Sequence, residues 1–325
     1  MPLDPQAQAV ANLFVQLPAP DFASLTVSQY RDFLAAFPIP ATQEEGLASV
    51  EDGAVGGADG PLKMRIYRPA VSEPLALTVY FHGGGFVSCG LDTHDNICRR
   101  LAAQTAALVV SIDYRLAPEH PFPAALNDAV AATRWLHANA ATIGADPSRI
   151  AVAGDSAGAT LATVVAQQLH GKEMQICHQL LLYPVTDSAC DSPSQLEMTQ
   201  TPILTRQAMR WFWRQYLPDT QSGLDPRASP LRQTALQGSP PATVVTAEVD
   251  PLRDEGEAYA QALVKAGVFV TQRRWPGQFH GFASLLGTLD AADEVLAFSA
   301  GQLRQSFAFG ISTQASGFSS LNSEA

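Results

Sequence analysis

The chain of 325 residues has little of several things that would define whole classes of protein. Cysteine occurs four times, as Cys89, Cys98, Cys177 and Cys190, with no C-x-x-C pair. That scatter argues against a disulfide framework or a cysteine metal site and reads as reduced, mostly buried thiols. Charge is sparse and one-sided: 16% of residues are charged, acidic outnumber basic 31 to 20, and the formal net charge is −11. No run of Lys or Arg offsets it, so a phosphate backbone would be repelled and no nucleic-acid partner is expected. Uninterrupted apolar runs stop short of the ~18 residues a membrane helix requires, so no stable membrane insertion is expected. The start, MPLDPQAQAVANLFVQLPAP, lacks the basic and apolar regions of a signal peptide, and a cytoplasmic location is expected. There is no H-E-x-x-H, no P-loop and no dinucleotide fingerprint after a strand, so neither metal nor cofactor is expected.

What the chain does have is enough apolar residue, 46%, to bury a large core. Its length suggests about two domains, or one α/β core with an insertion. Residues 1 to about 45 are helix-like, with Leu25, Val27, Tyr30, Phe33, Leu34 and Phe37 spaced for amphipathic packing. The glycine-rich stretch from Gly53 to Gly60 reads as a hairpin turn. Strand-like runs then follow at 62–69, 76–81, 107–114, 150–154, 179–185, 242–249 and 268–275, separated by helix-like segments. That alternation predicts βαβ units: a doubly wound α/β core with a mostly parallel sheet and helices on both faces. Residues 188–230 break the rhythm with an aromatic helix-like stretch and Pro-rich turns, which fits a functional lid better than a bare loop. The Ser-rich end, 309–325, reads as a mobile tail.

Two short motifs carry chemistry. Gly154-Asp155-Ser156-Ala157-Gly158 fits G-x-S-x-G between a strand and an Ala-rich helix, where small neighbours let a strained serine stand at a sharp turn. His82-Gly83-Gly84-Gly85-Phe86 follows a buried strand directly, and three glycines let backbone N–H groups face a ligand. Such donors stabilise the oxyanion of an ester's tetrahedral intermediate, and the N–H after the nucleophile, that of Ala157, completes the hole. Where an elbow of this kind supplies the nucleophile, the acid and then the histidine follow it along the chain. His170 sits near a helix end and His178 opens a strand, whereas His280 lies in a short glycine-flanked loop and is taken as the base. Asp250 ends a strand and is taken as the acid, although Asp-Pro is also a helix-capping pair. Asp187 is the rival acid, with Glu248 and Asp254 weaker candidates.

HGGGF at 82–86, YRLAPEHPFPAAL at 114–126, GDSAG at 154–158, DPLRDEG at 250–256 and FHGF at 279–282 together resemble the bacterial hormone-sensitive-lipase-like esterases. The resemblance implies an α/β-hydrolase fold: a mostly parallel sheet of about eight strands, flanked by helices, with a helical cap. It implies a first part of the cap at 1–45, catalytic core at 46–187 and 231–308, and a cap insertion at 188–230. It places the nucleophile on Ser156, the acid on Asp250, the base on His280 and the oxyanion donors on Gly84, Gly85 and Ala157. It also implies hydrolysis of small-molecule carboxylic esters with short to medium acyl chains, through an acyl-enzyme and without cofactor. Ala159 departs from the family's usual glycine and bears only on local helix packing. Trp211, Phe212 and Trp213 cannot all face one way on a helix; core packing is the default, with one of them, beside Phe86, expected to line the acyl pocket. The same triad could instead serve an amide hydrolase or deacetylase. A non-catalytic receptor is a more distant alternative, since plant gibberellin receptors resemble the family but lack the histidine. The last strand, VFVTQRRW, is expected at a sheet edge, placed to pair with its twin in a homodimer.

Overall fold

The computed structural model describes residues 2–16, 21–36, 46–72, 74–199 and 201–312. Eight strands form one sheet: β1 (Leu47–Gly57), β2 (Gly60–Pro69), β3 (Leu75–Phe81), β4 (Leu108–Ile112), β5 (Ala145–Asp155), β6 (Ile176–Leu182), β7 (Ala242–Val249) and β8 (Val270–Phe279). Their order is β1-β2-β4-β3-β5-β6-β7-β8; β1 and β2 run antiparallel to their neighbours, and β4 through β8 pair in parallel. Every residue of β3 and β4 is buried. Such continuous apolar runs are what a parallel strand needs when helices cover both faces of the sheet.

Nine α-helices are described. They are α1 (Pro5–Val15), α2 (Val27–Ala35), α3 (Asp95–Thr105), α4 (Ala124–Ala138), α5 (Ala157–Leu169), α6 (Pro193–Glu197), α7 (Arg206–Tyr216), α8 (Arg253–Lys265) and α9 (Asp290–Ser312). One apolar cluster joins α4, α5, α7 and α8 to the sheet, and a second joins α1, α3 and α9 to it. α1 starts on the Asp4 cap and buries Ala7 and Val10 in the cluster of Trp275 and Phe279. α2 starts on a capping box of Thr26 and Gln29 and lays Tyr30 against Trp211 and Phe212 of α7, with centroids 5.3 and 5.4 Å apart. No helix among the described residues is long and apolar enough to cross a membrane.

Two expectations change. The glycine-rich stretch is mostly strand: Gly53, Gly56 and Gly57 belong to β1, and the turn to β2 is confined to residues 58 and 59. The reason is packing, since a Cβ on Gly56 would stand 2.6 Å from the ring of Trp135. The tail does not begin at 309, because α9 continues to Ser312 with Phe307 still buried; residues 313–325 lie outside the described residues.

Register decides which loops meet. Phe81 of β3 pairs opposite Gly154 of β5, so the glycine turn and the serine elbow leave the sheet side by side. Val249 of β7 pairs opposite Phe279 of β8, so Asp250 and His280 do the same.

Candidate active site

Ser156 adopts φ 53° and ψ −122°, a backbone conformation costing roughly 1–3 kcal/mol for a residue with a side chain. The fold holds it there by close backbone approach on both sides. A Cβ on Gly154 would lie 2.4 Å from the carbonyl carbon of Gly158, and one on Gly158 only 1.9 Å from the Phe81 oxygen. The Ser156 N–H donates to the Leu182 carbonyl at 2.9 Å.

His280 Nδ1 donates to Asp250 Oδ2 at 2.8 Å, and its Nε2 accepts from Ser156 Oγ at 2.9 Å. The imidazole is 8% exposed and Asp250 fully buried. The helix-capping reading of Asp250 does not hold: α8 begins at Arg253 with Leu252 as its N-cap and no side-chain cap, and the second Asp250 oxygen instead accepts from the Leu252 N–H at 2.9 Å, closing the turn ahead of the helix. The rival acids are engaged elsewhere. Asp187 pairs with Arg232, Glu248 accepts from the Gly277 N–H, and Asp254 accepts from the Ser194 N–H and Arg253. His170 accepts from the Ile176 N–H, and His178 bridges Thr243 and Ser306; both are structural.

The glycine turn sorts its own donors. The Gly83 N–H is taken by Asp155 Oδ1 at 2.9 Å. Gly84 and Gly85 follow at φ 110° and 62°, conformations that favour glycine. Among the described residues, no acceptor receives the N–H of Gly84, Gly85 or Ala157. Phe212 lies directly on the turn, since a Cβ on Gly85 would stand 2.3 Å from its ring. Its neighbours diverge: Trp211 donates to the Leu25 carbonyl and packs on Phe22 and Tyr30, whereas Trp213 meets Phe86, which stacks on Tyr216 at 3.9 Å.

Sequence reading did not find what anchors the turn. Asp155, the second residue of the serine motif, accepts from Tyr80 at 2.8 Å as well as from Gly83, and lies 3.2 Å from His94. Burial opposes its charge, but His94 and the Tyr80 hydroxyl outweigh burial and hold the carboxyl below its ordinary value. His82 is buried and stacked on Tyr114 at 4.3 Å; burial and then His94 push it down to about 3, so it stays neutral. Tyr114 donates to the His82 carbonyl, and Arg115 grips Asp128 and Asp59, as structural ties. From α2, Arg31 donates to the carbonyls of Val87 and Ala117 and pairs with Glu119. No local motif announces the bonds of Asp155 and Arg31, because their partners stand 56 to 88 residues apart.

Known proteins share this fold. A family profile described as alpha/beta hydrolase fold matches residues 78–284. The ethyl acetate hydrolase of Pseudomonas putida is 40% identical over 262 residues, covering 79% of this chain and 82% of that protein. The carboxylesterase NlhH of Mycobacterium tuberculosis is 43% identical over 256 residues, covering 75% and 79%. The chain belongs to the hormone-sensitive-lipase-like family of α/β-hydrolases. Two solved structures of this α/β-hydrolase family superpose closely. The hyperthermophilic esterase of Pyrobaculum calidifontis has TM-score 0.86 at 40% identity, covering 94% of this chain and 99% of that one. An ester-hydrolase from the metagenome of Lake Arreo, complexed with a bipyridine phosphonate derivative, has TM-score 0.89 at 39% identity, with the same coverages. With relatives of this kind at 40–44% identity, the α/β-hydrolase described here is a carboxylic ester hydrolase.

Glu255 of α8, buried behind the site, ties β6's exit to α6. It accepts from the N–H groups of Thr186 and Asp187 and from Gln195 Nε2. Burial outweighs those donors and pushes the carboxyl from 4.5 up to about 8, with Asp187 adding to the rise. A folded-state value above the unfolded one means the native state binds the proton more tightly. Its contribution is therefore complete below the unfolded value near 4.5 and is lost as pH rises through about 8. Gln195 Oε1 is buried without a hydrogen-bond partner, and a turned amide would accept the proton of a neutral Glu255. Glu255→Gln, neutral at every pH, is expected to flatten the alkaline loss of stability. Thermal melts across that range check it: the wild-type Tm should fall further than the variant's.

Proposed function

We propose that the protein is a serine carboxylesterase of short- to medium-chain esters, with Ser156 as nucleophile, His280 as general base and Asp250 orienting the imidazole. One observation carries the reading: the continuous relay from Ser156 Oγ through His280 to Asp250 stands beside three backbone N–H groups with no acceptor among the described residues. His280 Nε2 takes the hydroxyl proton as Oγ bonds the ester carbonyl carbon, and the carbonyl oxygen gains the negative charge. The N–H groups of Gly84, Gly85 and Ala157 receive that oxyanion, each worth roughly 3–4 kcal/mol in the transition state. Collapse breaks the bond to the alcohol oxygen, which takes the proton from His280. Water then repeats the sequence on the acyl-enzyme and releases the acid. Asp250 holds the Nδ1–H tautomer throughout and stabilises the imidazolium.

The cap in this proposal is α2 packed on α7, with Phe212 as the residue that closes the acyl side over Gly85. A relative named for ethyl acetate hydrolysis supports a small acyl group, and the phosphonate held by the Lake Arreo neighbour supports a site shaped for a tetrahedral anion. Four free cysteines support a reducing, cytoplasmic setting. β8 ends the sheet and carries Phe269 at 75% exposure just before it, which supports a homodimer through that edge.

Ser156→Ala is expected to lower kcat about 10⁴-fold or more on p-nitrophenyl esters. An organophosphate should add its mass to Ser156 in the wild type alone; labelling at another residue, or an active alanine variant, would refute the assignment. Phe212→Ala is expected to move the acyl optimum to longer chains in a panel from acetate to palmitate, and an unchanged profile would remove Phe212 from the pocket. Light scattering should give twice the mass of the chain, and only monomer at every concentration would reject the β8 dimer.

A further inference from the structure

The segment from Leu182, the last residue of β6, to Val185 touches both partners of the proton transfer. The Leu182 carbonyl accepts from the Ser156 N–H at 2.9 Å, and the Val185 N–H donates to the Ser156 carbonyl at 3.4 Å. Thr160, one turn into α5, clamps the same segment by donating to the Val185 carbonyl at 2.6 Å. Between these two grips stands Tyr183. Its ring lies edge-to-face on the His280 imidazole, with centroids 4.8 Å apart and planes at 64°. Phe282, two residues beyond His280, backs the same ring at 5.9 Å.

Two features separate this tyrosine from an ordinary core residue. Its φ is 36°, in the region that favours glycine, yet a large side chain is kept there. Its hydroxyl is buried without a hydrogen bond among the described residues, the Ala283 backbone being the polar group nearby. Burying an unpaired hydroxyl is unfavourable. The backbone conformation and the hydroxyl both count against tyrosine at this position, whereas the ring's contact with the imidazole counts for an aromatic. Tyr183 N–H donates to the Val245 carbonyl at 2.6 Å, so the ring stands on the sheet rather than on a free loop.

From this placement we infer that Tyr183 is a positioning residue: its ring fixes the His280 imidazole relative to Ser156, through a segment that holds the serine backbone at the same time. The inference rests on the triad reading given above. It calls for the ring and not the hydroxyl, and for rigidity rather than mere volume.

The test compares Tyr183→Phe, Tyr183→Leu and Tyr183→Met in the full chain. The far-downfield proton resonance of the His280 Nδ1–H and kcat and KM on p-nitrophenyl acetate are read for each. Tyr183→Phe should keep both the sharp resonance and kcat. Tyr183→Leu should broaden or lose the resonance and lower kcat about 10- to 100-fold, the scale of a small misplacement of a reacting group, with little change in KM. Tyr183→Met, unbranched and flexible, serves in the same way if the leucine variant does not fold. Unchanged kcat and resonance in a folded leucine or methionine variant would overturn the inference, as would equal loss in Tyr183→Phe. Organophosphate labelling of Ser156 in the wild type is run beside them; its failure would strike the triad reading itself, whereas labelling with indifferent Tyr183 variants strikes only this inference.

Discussion

The site depends on the absence of two side chains. At Gly154 and Gly158, α5 and β5 approach each other and β3 so closely that the space a Cβ would fill is already occupied by backbone. That approach forces the strand to turn into the helix within one residue, and the residue caught in the turn is Ser156. It also draws the end of β3 against the elbow, so the three glycines after Phe81 open beside the serine hydroxyl. The glycine turn and the serine elbow thus take their places from one packing contact.

Around that contact the fold distributes rigidity. Parallel register delivers Asp250 and His280 as neighbours from β7 and β8, while Asp155 spends its carboxylate on the Gly83 amide, on Tyr80 and on His94. The effect is to tie down the first glycine of the turn while the next two amides find no acceptor among the described residues. Charge buried behind a reactive centre would be unfavourable if unpaired, but every oxygen of Asp155 and Asp250 has a donor. Hydrogen bonds hold these two carboxylates in place.

Much of this was legible in the sequence because backbone constraints leave marks in it. A glycine forced by close approach must remain glycine, which is why GDSAG and HGGG could be read, and a strand buried on both faces must be apolar, which is why β3 and β4 could be read. The failures have physical causes as well. Gly53, Gly56 and Gly57 look like a turn, yet Gly56 is small because Trp135 rests on it, a fact that only the packed structure contains. The partners of Asp155 lie 61 to 75 residues away, and Tyr183 meets His280 across strands; no local pattern encodes such meetings. The three aromatics of α7 could be seen to diverge by helical rotation, but which of them reaches Gly85 is decided by how α7 seats on α2.

Arg31 joins α2 to the loops around the glycine turn. Its guanidinium holds the carbonyl of Val87, just past the glycine turn, and that of Ala117, whose N–H donates to Phe86 of the turn, while Tyr30 of the same helix packs on Trp211 of α7. Displacing α2 would break those bonds and loosen the support of the glycine turn. Under the function proposed above, the helix that covers the aromatic wall and the turn that would bind the oxyanion are therefore braced by one side chain, and the loss of that side chain would weaken both at once.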